Sequence, residues 1–429
     1  MNKNITTEKK IAIIGLGYVG LPLAVEFGKY YKTIGFDINT QRVSELKNNI
    51  DITLECSTKQ ICSSTFLSFT DNIEDIKEFN IYIITVPTPI DKHSNPDLTP
   101  LINASKMISK VISAGNIVIY ESTVYPGATE DDCIPIIEKY SGLKFNIDFF
   151  AGYSPERINP GDKVNTLTKI KKITSGSTIE AANLVDNLYS SIITAGTFKA
   201  SSIKVAEAAK IIENTQRDVN IALMNEFAMM FKKMGISTHD VLDAASTKWN
   251  FIKLAPGLVG GHCIGVDPYY LLQKANEFNY SPNMIRTARE INNSMAGFIC
   301  DHIIESMVMR SMIVPNSDVL ILGATFKENC PDIRNTKIVD IYKSLKRFNI
   351  NVDIYDPNIE PVTFKQEYNI NAANTLNENK KYHVIALMVA HSEFINDKNL
   401  YSSLLRENGF IYDLKSKISK NDILDIVSL

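Results

Sequence analysis

The chain has 429 residues, 45% of them apolar and 22% charged, with a formal net charge of −3. That length exceeds one hydrophobic core and suggests two or three domains at roughly 150 residues each. The weak charge with no basic block argues against a nucleic-acid partner, and no apolar run approaches the roughly 18 residues of a membrane span.

The first ten residues are polar and carry no secretory signal. Six cysteines are scattered, with no CxxC pair and no histidine at metal spacing. They fit a reducing, cytoplasmic setting and no bound metal.

Lys10 to Gly15 is a short apolar strand of the buried parallel type. It runs into Gly15-Leu-Gly17-Tyr18-Val19-Gly20, a helix over Leu21–Tyr31, and a second strand, Lys32–Phe36, ending at Asp37. Strand, GxGxxG, helix, strand, acid is the dinucleotide pattern. Gly15 permits the turn, Gly17 admits a pyrophosphate against the backbone, and Gly20 lets helix pack on strand. Asp37 would accept from a ribose diol and repel a 2′-phosphate, which points to NAD.

Further α/β units follow. Asn80–Val86 is a strand stopped by Pro87-Thr88-Pro89, and Asn116–Glu121 is another, followed by Ser122-Thr123. Thr85 and Thr123 thus lie at strand carboxyl ends, where open α/β sheets bind ligands. A strand near Phe149–Ala151 leads to Glu156, whose ordinary reading is a solvated loop carboxylate.

From Ser201 to about Met234 there is neither proline nor glycine. Val205, Ala208, Ala209, Ile212, Val219, Leu223, Phe227 and Met230 recur at helical spacing, so one long helix spans domains or forms a subunit interface. Lys210 and Asn214 share a helix face, which on its own reads as solvated.

The Gly260-Gly261-His262-Cys263-Ile-Gly-Val-Asp267-Pro268 stretch follows. Asp267 reads as an N-cap with Pro268 as first helical residue, holding Cys263 ahead of a positive helix end that favours thiolate. A buried packing cysteine in a glycine-rich turn is the equal alternative.

Strands at Ser317–Ala324, Asn351–Tyr355, Tyr382–Met388 and Gly409–Asp413 form a smaller doubly wound sheet. Its first loop lacks a glycine fingerprint, so it holds no second dinucleotide. Lys327 and Arg334 there suit phosphates or plain surface charge.

Taken together, the chain resembles the nucleotide-sugar 6-dehydrogenase family, the UDP-glucose and UDP-N-acetylhexosamine dehydrogenases. The resemblance covers essentially its full length through GLGYVG at 15–20, EST at 121–123, PERINPG at 155–161, AKIIEN at 209–214, GGHCIGVD at 260–267 and FKENCPDIR at 326–334. It implies two Rossmann-like doubly wound parallel sheets joined by a long central helix. The implied domains are 1–200 for NAD, 201–300 for dimerisation with the catalytic lysine and cysteine, and 301–429 for the UDP-sugar. By resemblance Cys263 is the nucleophile, Lys210 and Asn214 hold the oxyanion, Asp267 assists the cysteine or the water, and Thr123 and Glu156 position the water. NAD would also meet Tyr18, Val19, Arg42, Thr85, Pro87, Thr88, Thr123 and Arg334. The sugar nucleotide would meet Glu156, Arg157, Lys210, Asn214, Gly260, Gly261 and Lys327.

UDP-glucose dehydrogenases usually carry a second glutamate where this chain has Pro160, and tend to read GGSC. The forms here resemble the N-acetylhexosamine branch, with UDP-N-acetylglucosamine or its galacto epimer ahead of UDP-N-acetylmannosamine, and UDP-glucose last. The resemblance also implies a homodimer and a role in capsule or O-antigen precursor synthesis. A single-step dehydrogenase and a non-catalytic dinucleotide-dependent regulator are the competing readings.

Overall fold

The computed structural model describes residues 9–91, 94–158, 164–397, 399–418 and 425–429. The polar N-terminal segment through Glu8 and the Asn159-Pro160-Gly161 end of the PERINPG motif lie outside the described residues. The chain divides into two compact units, Met1–Glu213 with Tyr269–Tyr280, and Asn214–Pro268 with Ser281–Leu429.

The first unit is built on an eight-stranded sheet ordered β3-β2-β1-β4-β5-β6-β7-β8. The strands are β1 (Lys10–Ile14), β2 (Lys32–Phe36), β3 (Leu67–Thr70), β4 (Ile81–Ile84), β5 (Ile117–Tyr120), β6 (Phe150–Tyr153), β7 (Lys172–Gly176) and β8 (Thr197–Lys199). The central strands KIAII, IYII and IVIY are apolar on both faces because helices cover both faces. Their register sets Ile11 beside Ile81 and Ile81 beside Ile117. One pair departs from the expected parallel sheet: β6 and β7 are antiparallel, with Gly152 opposite Gly176. Among the described residues between them, 154–158 and 164–171, no α-helix makes the crossover a parallel return would need.

The second unit carries a five-stranded, all-parallel sheet ordered β10-β9-β11-β12-β13. Its strands are β9 (Asp318–Leu322), β10 (Asn351–Tyr355), β11 (Tyr382–Leu387), β12 (Leu405–Asp413) and β13 (Ile426–Val427). Met295, Ile299, Ile303 and Met307 of the helix Asn283–Met309 pack with Val319, Ile321 and Val384 in its core.

The long helix is present as Ile203–Met234. Its inward face is not the expected apolar stripe. Ile212 is 57% exposed, and Val205, Leu223 and Met230 are exposed as well. Ala206, Glu207, Lys210, Ile211, Thr215, Asp218, Ala222, Asn225 and Ala228 are buried instead. Polar side chains tolerate burial when hydrogen-bonded, and most of these are. Glu207 accepts from Gly127 N (2.6 Å) and Thr129 N (2.9 Å), and Asp218 pairs with Arg289. Asn225 exchanges hydrogen bonds with Gly257 and donates to Asn292.

Candidate active site

The glycine loop of the first unit divides its work among three positions. Gly15 has φ +95°, in the left-handed region. A Cβ on Gly20 would fall 1.8 Å from Gly15 O and 2.5 Å from Thr85 Oγ1, so only glycine fits there. Gly17 is exposed, and a Cβ placed on it meets nothing within 4 Å. Thr85, at the end of β4, braces the loop by donating to Ile14 O (3.0 Å) and Gly15 O (2.8 Å).

Asp37 follows β2 and accepts from Leu16 N at 2.8 Å and Asn39 N at 2.9 Å. Each carboxylate oxygen keeps lone pairs for a further donor. Open space at Gly17 beside a half-buried acid fits a dinucleotide. Arg42, expected at the cofactor, is buried and already committed in part: its Nε donates to Leu16 O and it pairs with Asp51 at 2.8 Å. It therefore braces the same loop. Tyr18 and Val19 are half-buried on that loop, Pro87 is exposed and Thr88 buried after β4. Tyr270 donates to Pro89 O at 3.0 Å.

Thr123 is half-buried beyond β5. Glu156 is not a solvated loop carboxylate. It is 9% exposed, its Oε1 accepts from Arg157 N and Ile158 N (both 2.6 Å), and its Oε2 pairs with Lys172 Nζ (2.9 Å). Arg157, expected at the substrate, pairs with Glu213 at 2.8 Å and donates to Lys171 O. Lys210 is buried rather than on a solvated face, and its Nζ makes no hydrogen bond or ion pair among the described residues.

In the second unit the cysteine loop is a run of turns, and Cys263 is exposed. Its carbonyl accepts from Val266 N (3.0 Å) and Asp267 N (2.9 Å). The next helix, Asp267–Glu277, begins at Asp267 itself, one residue earlier than the N-cap reading placed it. The Asp267 carboxylate accepts from Asn214 Nδ2 at 2.6 Å. One amide hydrogen of Asn214 is thereby spent on orientation, and the second remains for a ligand. Gly260 and Gly261 make room for protein, not for a ligand: a Cβ on Gly260 would lie 2.8 Å from Asn335 O, and one on Gly261 2.7 Å from the Phe326 ring. Burial first, then the Arg334 charge, lowers the His262 pKa below the usual histidine value, so its imidazole stays neutral at pH 7.

The loop after β9 carries Lys327, whose Nζ sits 5.5 Å from the Phe326 ring centroid. Lys327, Lys337 and Lys415 line one small hollow with Gly260 and Thr325. Arg334 is bound to Asp332 through two nitrogens. The loop is anchored from beneath by Asp356, which has no exposed surface and accepts from Ala324 N, Thr325 N and His391 Nε2.

Three family descriptions match consecutive segments of the chain. These are the NAD binding domain of the UDP-glucose/GDP-mannose dehydrogenase family over residues 9–193, its central domain over 204–294 and its UDP binding domain over 320–420. The chain belongs to the UDP-glucose/GDP-mannose dehydrogenase family. It is an NAD-dependent dehydrogenase, as the glycine loop and Asp37 foreshadow, with a UDP-binding segment on the second sheet. The UDP-N-acetyl-D-glucosamine 6-dehydrogenase of Pseudomonas aeruginosa is 57% identical over 95% of this chain and 97% of its own length. Protein CapL of Staphylococcus aureus is 51% identical over 97% and 98%. Among solved structures, the UDP-D-ManNAc dehydrogenase of Pyrococcus horikoshii superposes with a TM-score of 0.87 at 30% identity, covering 98% of each chain.

Within this family member, the buried cluster around Lys172 escaped sequence reasoning. Lys172 also pairs with Glu121 (2.8 Å), whose other oxygen accepts from Tyr189 OH. Burial, helped by the Glu156 charge and opposed by Lys172, pushes the Glu121 pKa up to about 7. Burial opposes the Lys172 charge, but the two carboxylates outweigh it and hold its pKa above the usual lysine value. No local signal marks these residues: Lys172 opens an otherwise ordinary strand, and its partners are 51, 16 and 17 positions away.

Proposed function

We propose that this dehydrogenase oxidises C6 of a UDP-N-acetylhexosamine, UDP-N-acetyl-D-glucosamine before its galacto epimer, to the uronate through a covalent adduct on Cys263. The observation that carries the reading is the exposed Cys263 thiol in a turn beside the Asn214–Asp267 pair. The 57% identical relative with the N-acetylglucosamine name supports that sugar over the manno epimer and glucose. Cofactor binding is assigned to residues 1–200, dimerisation and the catalytic lysine and cysteine to 201–300, and the UDP-sugar to 301–429.

NAD, held by Gly15, Gly17, Gly20, Asp37 and Thr85, supplies a hydride acceptor for each of two oxidations. The protein's own groups do the rest. The Cys263 sulfur adds to the aldehyde carbon and retains it as a thiohemiacetal, and a second oxidation leaves a thioester. Lys210 and the free amide hydrogen of Asn214 donate to the oxyanion, each worth about 3 kcal/mol in comparable sites. Asp267 fixes Asn214 and manages the cysteine proton. Thr123 and Glu156 orient the hydrolytic water, and Lys327 meets the nucleotide phosphates.

The absence of any disulfide among the six cysteines supports a cytoplasmic enzyme. Among the described residues no helix is long and apolar enough to cross a membrane. The exposed Leu223 and Met230 support a homodimer through the long helix, and a uronate product suits surface-polysaccharide assembly. Counting NADH per sugar over a panel of UDP-sugars tests the reading. Two per molecule of UDP-N-acetyl-D-glucosamine, with acid formed, is expected. One would leave a simple dehydrogenase, and none would leave a regulatory protein.

A further inference from the structure

Two loops assigned above to the hydrolytic water leave neighbouring parallel strands, β5 before Thr123 and β6 before Glu156. Both are tied to one ammonium. Lys172 Nζ, on a side chain 2% exposed, donates to Glu121 at 2.8 Å and to Glu156 at 2.9 Å. Tyr189 OH holds the second Glu121 oxygen, and the Lys172 Nζ lies 5.4 Å from the Tyr189 ring centroid. The second Glu156 oxygen is held by two backbone amides of its own loop.

Packing does not require such a cluster. Apolar residues of similar volume fill a core at least as well as a buried ion triad, which needs every partner in place. What the triad provides is direction: one rigid strand residue dictates where the Glu156 carboxylate and the residue two before Thr123 both lie. The geometry points to Lys172 as a positioning residue for hydrolysis of the Cys263 thioester, acting through Glu156 and the β5 end. This rests on the assignment of Glu156 and Thr123 to the water. In that step the water oxygen bonds to the acyl carbon as the carbon–sulfur bond breaks. The sulfur leaves with the electron pair and takes up one water proton, and the new carboxylic acid releases the other to solvent. Neither oxidation uses that water, so the effect is confined to the last step.

The test uses the full chain with NAD and UDP-N-acetyl-D-glucosamine in rapid-mixing kinetics. Lys172→Met is expected to keep the NADH burst and the KM, while steady-state turnover falls about tenfold to a hundredfold. A sugar adduct on Cys263 should then accumulate by mass spectrometry, and Lys172→Arg should recover most of the rate. Unchanged turnover, or burst and turnover slowed equally, would overturn the inference. Should Lys172→Met fail to fold, Tyr189→Phe loosens Glu121 without changing volume. It should give the same adduct in smaller yield, and its absence counts against Lys172 equally. Glu156→Gln separates the two levels. If that variant hydrolyses normally, the reading of Glu156 itself falls; if it accumulates adduct while Lys172→Met does not, only the positioning role falls.

Discussion

Gly17 and Gly20 lie three residues apart yet make opposite demands on a side chain. Gly20 is hemmed in by Gly15 O and Thr85, so Gly20→Ala should lower the melting temperature and abolish NAD binding together. Gly17→Ala meets no protein atom within 4 Å and should leave the melting temperature unchanged while weakening NAD, measured by titration. At the proposed chemical centre, Cys263→Ser should end acid formation, and uronate at the wild-type rate would refute the assignment of Cys263 as nucleophile. Lys210→Ala should cost about a hundredfold or more in turnover. Its burial makes the conservative Lys210→Met variant a useful companion, because it removes the charge while keeping most of the volume.

At the scale of elements, Glu207 fastens the long helix to the amides of Gly127 and Thr129, and its titration should be visible in stability. Burial, opposed by those hydrogen bonds, pushes its pKa up to about 7 from an ordinary 4.5. Between those values the folded chain holds a proton that the unfolded chain has lost, so stability is full below 4.5 and declines as pH rises through 7. A shift of that size is worth on the order of 3 kcal/mol. Glu207→Gln should flatten the dependence of melting temperature on pH across that interval, leaving the part due to Glu121. The helix also shows what a linear pattern conveys. Its length was legible from the missing proline and glycine. Its orientation was not, because Asp218, Asn225 and Glu207 find partners 32 to 80 residues away and so could turn inward. Strand β1, the glycine loop and Asp37 were legible because their spacing pattern is complete within residues 10–37. Lys172 and the antiparallel β7 depend on long-range pairing and were not.

For the whole molecule, the apolar side chains the helix turns outward carry the proposed assembly. Leu223→Glu with Met230→Glu should yield monomers by light scattering, while a dimer unaffected by both would move the interface elsewhere. The two sheets share a plan: Gly15 and Gly323 both have positive φ, and Asp37 and Asp356 both accept amides from the loop after the first strand. They part at the acid. Asp37 keeps an open side, whereas Asp356 is sealed under His391 with no surface left for a sugar hydroxyl. Among the described residues only the first sheet then keeps an open acid for a coenzyme, and under the proposed mechanism it would serve both oxidations. Spent coenzyme would then have to depart and a fresh one arrive midway through each cycle, and a half-oxidised sugar left loose would diffuse away during that exchange. The sulfur tether proposed at Cys263 would be the chemical answer to that exchange.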